Sequence, residues 1–436
     1  MSSRVRASAL LLLAMAPACE DVSPTVVSGE RIPIRAETVE VRLPFEAFAS
    51  ELRSHLGFGS AAELARPIVA SRWAEELDAN LMVRFGELPA AISVLPPGAT
   101  SGAQTDTDFH PVRGEVVLRW DTTDVAVTSS FDLEAEAVLT GWDPATATWE
   151  LAADTLGGSM SWPEPGGGPT RPLGTFDWAP AVTDTLTVPL DSVTVAEWTD
   201  PDRPERGLRV RTTTKGSLLN LSSVVFRVRV RSSLNPDTVV VVDITDGTST
   251  FVYTPEPPSA PGAFRIGGVP AERATFRVEL PETVDPGPET CVRVECPLRV
   301  EPDGIIYAAL VLYTHPPPSP AFAPRSSVFL EMRPVLSPAR LPRSPVAQPV
   351  HEPLEAIPPE HFSTGAGSVY EIPMTGFLRT VGAAGSAGED AEPATVALLV
   401  APEPQGVEVL SFHGPGTELA PSLRMIMNVA GGVVLP

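Results

Sequence analysis

The stretch Phe226-Arg227-Val228-Arg229-Val230-Arg231 places an apolar side chain at every second position and an arginine at each position between. Successive side chains of an extended chain point to opposite faces, so this period of two defines a strand with one face in a core and the other in water. The same alternation recurs on both sides of it. Val116, Leu118 and Trp120 alternate with Arg119 and Asp121, Phe276, Val278 and Leu280 with Arg277 and Glu279, and Val328, Leu330 and Met332 follow the same rule. Forty-nine prolines and 33 glycines interrupt any long helix and supply turns between such strands. A chain of 436 residues, 43 % hydrophobic, exceeds what one core usually serves. These features predict a mostly β protein of two tandem antiparallel β-sandwich, jelly-roll-like domains.

One short N-terminal helix is expected. Phe45, Phe48, Leu52 and Leu56 recur at spacings of three and four, with Glu46, Glu51 and Arg53 off that stripe, and Gly57 and Gly59 stop it. Ser60 with Glu63 then reads as a capping box for one more turn before Pro67.

A long-period repeat links the two halves. Leu81 to Pro89 resembles Thr275 to Pro281, Val188 to Trp198 resembles Ile372 to Val381, and Gly207 to Arg211 resembles Thr395 to Leu399. Leu218 to Ser223 resembles Val407 to Phe412, each leading into a closing strand at Val225 to Val230 or Leu423 to Asn428. The domains are accordingly drawn as a leader over 1–18, a tether over 19–37, a first module over 38–262 and a second over 263–436.

The leader combines Arg4 and Arg6, an apolar run from Ala7 to Ala16 and the small-residue site Ala16-Pro17-Ala18 before Cys19. Such a run is too short to span a bilayer and reads as an export signal. The cysteine directly after the small residue resembles the lipobox of bacterial lipoproteins, although Ala16 and Pro17 stand where that pattern prefers other residues. The resemblance implies that Cys19 is acylated and becomes the first residue of the mature chain. The place expected is the bacterial envelope, through a lipid in the membrane, either periplasmic or on the surface of the outer membrane.

Ala135 to Leu139, Thr148-Trp149, Met160 to Trp162, Val188 to Leu190, Trp198, Gly207-Leu208 and the stretch ending at Ser223 also resemble DNRLRE-type modules of secreted bacterial proteins. The six-residue string that names the family is missing, and the second half lacks the tryptophans. The resemblance implies a non-catalytic extracellular β-sandwich related to carbohydrate-binding modules, and no particular sugar.

The net charge is −23, and becomes −25 once a leader with two arginines and no acid is removed. Such a surface repels phosphate backbones and argues against nucleic-acid binding. With Cys19 acylated, Cys291 and Cys296 remain as an even pair in an oxidising compartment. Their intervening residues alternate like a strand, yet five extended steps span about 17 Å, beyond the roughly 7 Å between bridged alpha carbons. Either a tight loop is closed by a disulfide or the thiols stay free, the closed loop being favoured, and a zinc site is disfavoured because ligands are lacking.

Chemistry is sparse. No Gly-x-Ser-x-Gly elbow, no His-Glu-x-x-His pair and no phosphate-cradling loop is present, and the six histidines, among them His315 and His413, are scattered. No catalytic residue, cofactor or metal is therefore assigned. Asp106 with Asp108, and Asp200, Asp202 and Glu205, are oxygen-rich loops better read as turn acids than as calcium ligands. Six of seven tryptophans lie between Trp120 and Trp198. Trp120 and Trp198 are expected on strands facing the core. Trp142, Trp162 and Trp178 sit beside Pro, Asp or Gly, as loop rings able to stack on sugars would. The expected function is a lipid-anchored, non-enzymatic envelope protein with a structural or binding role. Its partners would be the membrane, through the lipid, and a polysaccharide or another envelope protein. The alternative is glycan binding through those three tryptophans.

Overall fold

The computed structural model describes residues 36–123, 130–155, 158–255, 257–363, 367–386 and 394–430. The leader, Cys19 and most of the tether lie outside the described residues.

The described residues open with a pair of strands, β1 (Ala36–Pro44) and β2 (Ala49–Phe58), joined by the four-residue helix α1 (Phe45–Phe48). The first body begins with β3 (Ile68–Trp73), β4 (Leu77–Phe85) and a small hairpin, β5 (Ile92–Val94) with β6 (Gln104–Asp106). Then come β7 (Phe109–Asp121), β8 (Phe131–Val138) and a second small hairpin, β9 (Leu151–Thr155) with β10 (Gly158–Ser161). It ends with β11 (Thr170–Trp178), β12 (Thr185–Leu190), helix α2 (Ser192–Thr199), β13 (Leu208–Thr212) and the long β14 (Ser217–Ser232). Another pair of strands, β15 (Val239–Ile244) and β16 (Gly247–Tyr253), leads out of it.

The second body runs β17 (Ala263–Gly267), β18 (Ala271–Val278), β19 (Thr283–Val284), helix α3 (Pro288–Cys291) and β20 (Leu298–Arg299). It continues through β21 (Ile305–His315), β22 (Phe329–Pro334), β23 (Val369–Pro373) and helix α4 (Thr375–Ser386). It closes with β24 (Ala394–Ala401), β25 (Val409–His413) and β26 (Ser422–Ala430).

Two large antiparallel sheets result. One follows the order β11-β8-β13-β4-β3-β14-β7-β12 and the other β1-β26-β21-β25-β17-β18-β24-β22. The first is nearly closed, because β11 comes back beside β12, and the second is a half-barrel.

The two orders match over most of their strands, β11 alone among the described residues having no counterpart. β3 and β4 correspond to β17 and β18, β7 to β21, β8 to β22, β12 to β23 and β13 to β24. β14 pairs with both β3 and β7 along its length, a task that β25 and β26 divide in the second sheet. The segments matched in the sequence repeat thus hold equivalent places in the two sheets.

The outermost strands break the tandem arrangement. β15 lies on β14 and β16 on β4, whereas the equivalent positions on β26 and β18 are filled by β1 and β2 from the other end of the chain. Each body is therefore completed by a strand pair that precedes the other body in sequence. Residues 38–58, drawn from sequence with the first module, belong to the second sheet. Alternation reports which face of a strand is buried and carries no information on which neighbour it joins. Val39, Val41, Leu43, Phe45 and Phe48 sit in the core of the second body beside Phe276, Leu310 and Met425. Each fully buried side chain of this kind contributes about 1.5–3 kcal/mol, so the N-terminal pair is structural to a body whose other strands begin 200 residues later. The first body has its own core around Leu81, Trp120, Phe226 and Val228. A third apolar cluster joins the two, with Ile68, Leu77 and Phe251 against Val269, Phe322 and Val409.

Two local expectations are corrected and two others hold. The helix read through Leu52 and Leu56 ends at Phe48, and 49–58 is strand β2, paired with β18. Leu52 is half-buried and Leu56 is exposed, because β2 is bulged twice against its partner and the inward positions fall three residues apart. Trp198 lies on helix α2 rather than at a strand end, the helix being capped by Asp191, whose Oδ1 accepts from the Thr194 amide at 2.7 Å. The closed loop expected between Cys291 and Cys296 is present, as a turn that follows helix α3. That turn brings the alpha carbons to 5.5 Å and a disulfide joins them. The further short turn expected between Ser60 and Pro67 is a single 3-10 turn, Ala61–Glu63, with Ser60 Oγ accepting from the Ala62 amide.

Candidate functional site

The three tryptophans expected in loops are interior. Trp142, Trp162 and Trp178 are 4, 4 and 2 % exposed. Trp178 stands 6.0 Å from Trp120 and 5.7 Å from Phe131 in the first core. Trp142 and Trp162 pack at 6.5 Å with their planes tilted by 39° beneath the β9–β10 hairpin, where Trp162 Nε1 donates to the Thr148 carbonyl at 2.9 Å. Arg84 lies 5.0 Å over the Trp142 ring and donates to the carbonyl oxygens of Trp142 and Pro204. Proline and glycine neighbours mark a bend in the backbone and say nothing about whether the ring beside it turns inward. These rings are committed to packing, and sugar stacking on them is ruled out by burial.

A half-buried tryptophan does stand at a concave surface. Trp149 projects from the 145–150 loop into a cavity of about 180 Å³ between the two bodies. Phe251 and Tyr253 of β16 form a second wall, and Ser60–Ala61 and Val269–Pro270 close the ends. β16 positions its rings by pairing with β4, Phe251 opposite Leu81 and Tyr253 opposite Ala79. The Tyr253 hydroxyl donates to the Val269 carbonyl at 2.6 Å, tying the wall to the turn between β17 and β18. Thr146 is spent, donating to Asp143 and accepting from the Asp154 amide. Ser60 Oγ and Thr148 Oγ1 each accept a backbone amide, at 3.1 Å, and keep a hydroxyl proton to give. The Glu150 carboxylate has no partner among the described residues. The cavity therefore combines aromatic faces, two hydroxyl donors and one carboxylate acceptor. That mixture suits a ligand with an apolar face and a hydroxylated edge.

The acidic loops singled out in the sequence serve structure. Asp106, buried at the end of β6, accepts from Ser232 Oγ at 2.5 Å, Ser233 N at 2.9 Å, Ser233 Oγ at 3.0 Å and Asp108 N at 2.9 Å. The Ser232 hydroxyl, first among these donors, holds its carboxyl down to about 2. Asp200 accepts from the Asp202 amide, and Arg203 pairs with Glu205 at 3.1 Å and with Asp200 at 3.8 Å, so both acid loops are braced turns. His315 and His413 meet edge to face at 4.9 Å, and burial followed by the neighbouring His315 lowers the His413 pKa. No group of three or more metal-ligating side chains is gathered among the described residues. No helix among them is long and apolar enough to cross a membrane.

Sequence reading missed Trp149 as a candidate because its cavity is assembled from Ser60, the 145–150 loop, β16 and the 269–270 turn. A wall made of four distant segments leaves no local pattern. Comparison with family models, with curated proteins and with solved structures finds no match to this chain.

Proposed function

We propose that this chain is a lipid-anchored, non-enzymatic protein of the bacterial cell envelope whose two β bodies form one binding scaffold. The observation that carries the binding role is the cavity between the bodies, where Trp149 and Tyr253 present half-buried rings beside the free carboxylate of Glu150. The non-catalytic part is supported by the engagement of three of the most strongly shifted titratable groups. Asp106 clasps two serines, Arg227 is held by Asp243 and Glu115, and Arg424 by Glu40 and Glu371. Anchoring rests on the lipobox-like Ala16-Pro17-Ala18-Cys19, and kinship with DNRLRE-type modules on the motifs quoted above. Growth of the producing cell with a radioactive fatty acid should label the wild-type chain and leave Cys19→Ser unlabelled. Equal labelling of both would refute the anchor.

A second reading, glycan recognition, is favoured by the same cavity, now through Trp149 in place of the three buried rings. A panel of neutral oligosaccharides titrated against the purified protein should contain one that shifts tryptophan fluorescence. Trp149→Ala should weaken that binding by about 1–3 kcal/mol, the range for losing a packed aromatic contact. No response at millimolar sugar would remove this reading and leave the anchor untouched.

A further inference from the structure

The free edge of the first sheet differs from its counterpart in the second. β15 pairs with β14 and with no other strand among the described residues, and β1 holds the same place on β26. An edge strand offers a row of unpaired amides and carbonyls, and proteins ordinarily protect such rows with charged side chains. β1 obeys that rule. Its outward residues are Thr38, Glu40 and Arg42, with Glu40 bonded to Arg424 at 2.9 Å. On β15 the equivalent outward positions are Val239, Val241 and Asp243, and the two valines are 46 and 47 % exposed. Valine thus replaces glutamate at the middle of an otherwise equivalent edge.

The strands behind β15 carry a second anomaly. Arg227 is neutralised by Asp243 at 2.8 Å and Glu115 at 3.4 Å. Two residues further on, Arg229 stands opposite Val241 on one side and opposite Arg113 on the other, and Arg231 lies between Val239 and His110. Arg113, Arg229 and Arg231 have no carboxylate partner among the described residues. Like charges directly across a ladder destabilise it. In a chain of net charge −23, an uncompensated cluster of three arginines beside an unprotected edge is a surface that lacks its complement.

We propose that β15 is a docking edge for an extended acidic peptide, which joins the first sheet as an added strand. Its main chain would take up the open hydrogen-bonding row of β15, its apolar side chains would continue the inner face beside Val240 and Val242, and its carboxylates, on the outer face with Val239 and Val241, would reach toward Arg229 and Arg231. Repulsion from the acidic remainder of the molecule is screened beyond about 8 Å at physiological ionic strength, so the local arginines set the preference.

The test uses the full chain, with an octapeptide of alternating valine and glutamate as probe and its valine–lysine counterpart as control. The glutamate peptide should slow hydrogen exchange in 239–244 and leave 36–44 unchanged, and the lysine peptide should bind about tenfold or more weakly. Val241→Glu, which restores the charge found on β1 at an exposed position, should abolish the protection, and Arg229→Gln with Arg231→Gln should remove the preference for glutamate. Equal affinity for the two peptides, or no added protection at β15, would overturn the proposal. Protection of the same amides by phosphatidylglycerol vesicles but not by the peptide would overturn it in favour of a lipid surface.

Discussion

At the scale of single residues, buried polar groups decide how firmly the strand ends are held. Asp106 collects four donors from Ser232, Ser233 and Asp108 while almost wholly buried, which fixes the β5–β6 hairpin to the end of β14. An ionised carboxylate with that many donors resists protonation. Its folded pKa of about 2 lies below the ordinary 3.8, so the unfolded chain binds the proton more readily between those values. Stability from this group is complete above the unfolded value and is lost as pH falls toward the folded one. Asp106→Asn should lower the melting temperature at neutral pH and flatten its decline between about pH 4 and pH 2. Thermal denaturation followed by circular dichroism would check this. Identical pH slopes for variant and wild type would count against the clasp.

At the scale of elements, strands with a clean period of two were legible and those shaped by their neighbours were not. Phe226, Val228 and Val230 are fully buried and Phe276 and Val278 nearly so, as the alternation required. The 45–56 stripe misled because its spacing fits a helix, while the free side of β18 offers a ladder that an extended chain satisfies residue by residue. Ser50, Ser54 and His55 add little helical preference to resist it. In Ile372 to Val381 the reverse occurred. A segment aligned by its repeat to Val188–Trp198 turns helical after its strand in both bodies, as α2 and α4, and sequence matching placed the pair correctly without identifying the helix. The buried tryptophans and the junction cavity were illegible for a shared reason. Whether a ring in a bend faces inward depends on a wall contributed by residues more than 100 positions away, as at Trp149 and Val269.

At the scale of the whole molecule, the doubled sequence yields two sheets that are built alike and completed crosswise. A chain of simple tandem modules would confine its pairings to each half. Here the first strand of the described chain pairs with the last, Val39 opposite Met427 and Leu43 opposite Leu423. The second strand closes on β18, and the shared cluster of Leu77, Phe251, Phe322 and Val409 binds the bodies to each other. The repeat announced the duplication, but equivalent edges accept equivalent strand pairs, so no local feature could tell which body each would join. The N-terminal pair should accordingly open with the second body and not fray as a chain end.

Hydrogen exchange followed by mass spectrometry on the intact chain measures this directly, by comparing 36–58 with its partners 422–430 and 271–278 and with 68–85 of the first body. Crosswise completion requires 36–44 and 49–58 to be protected to the same degree as 422–430 and 271–278, and to lose that protection together with them as denaturant is raised. Rapid exchange throughout 36–58, or protection that instead follows 68–85, would contradict it.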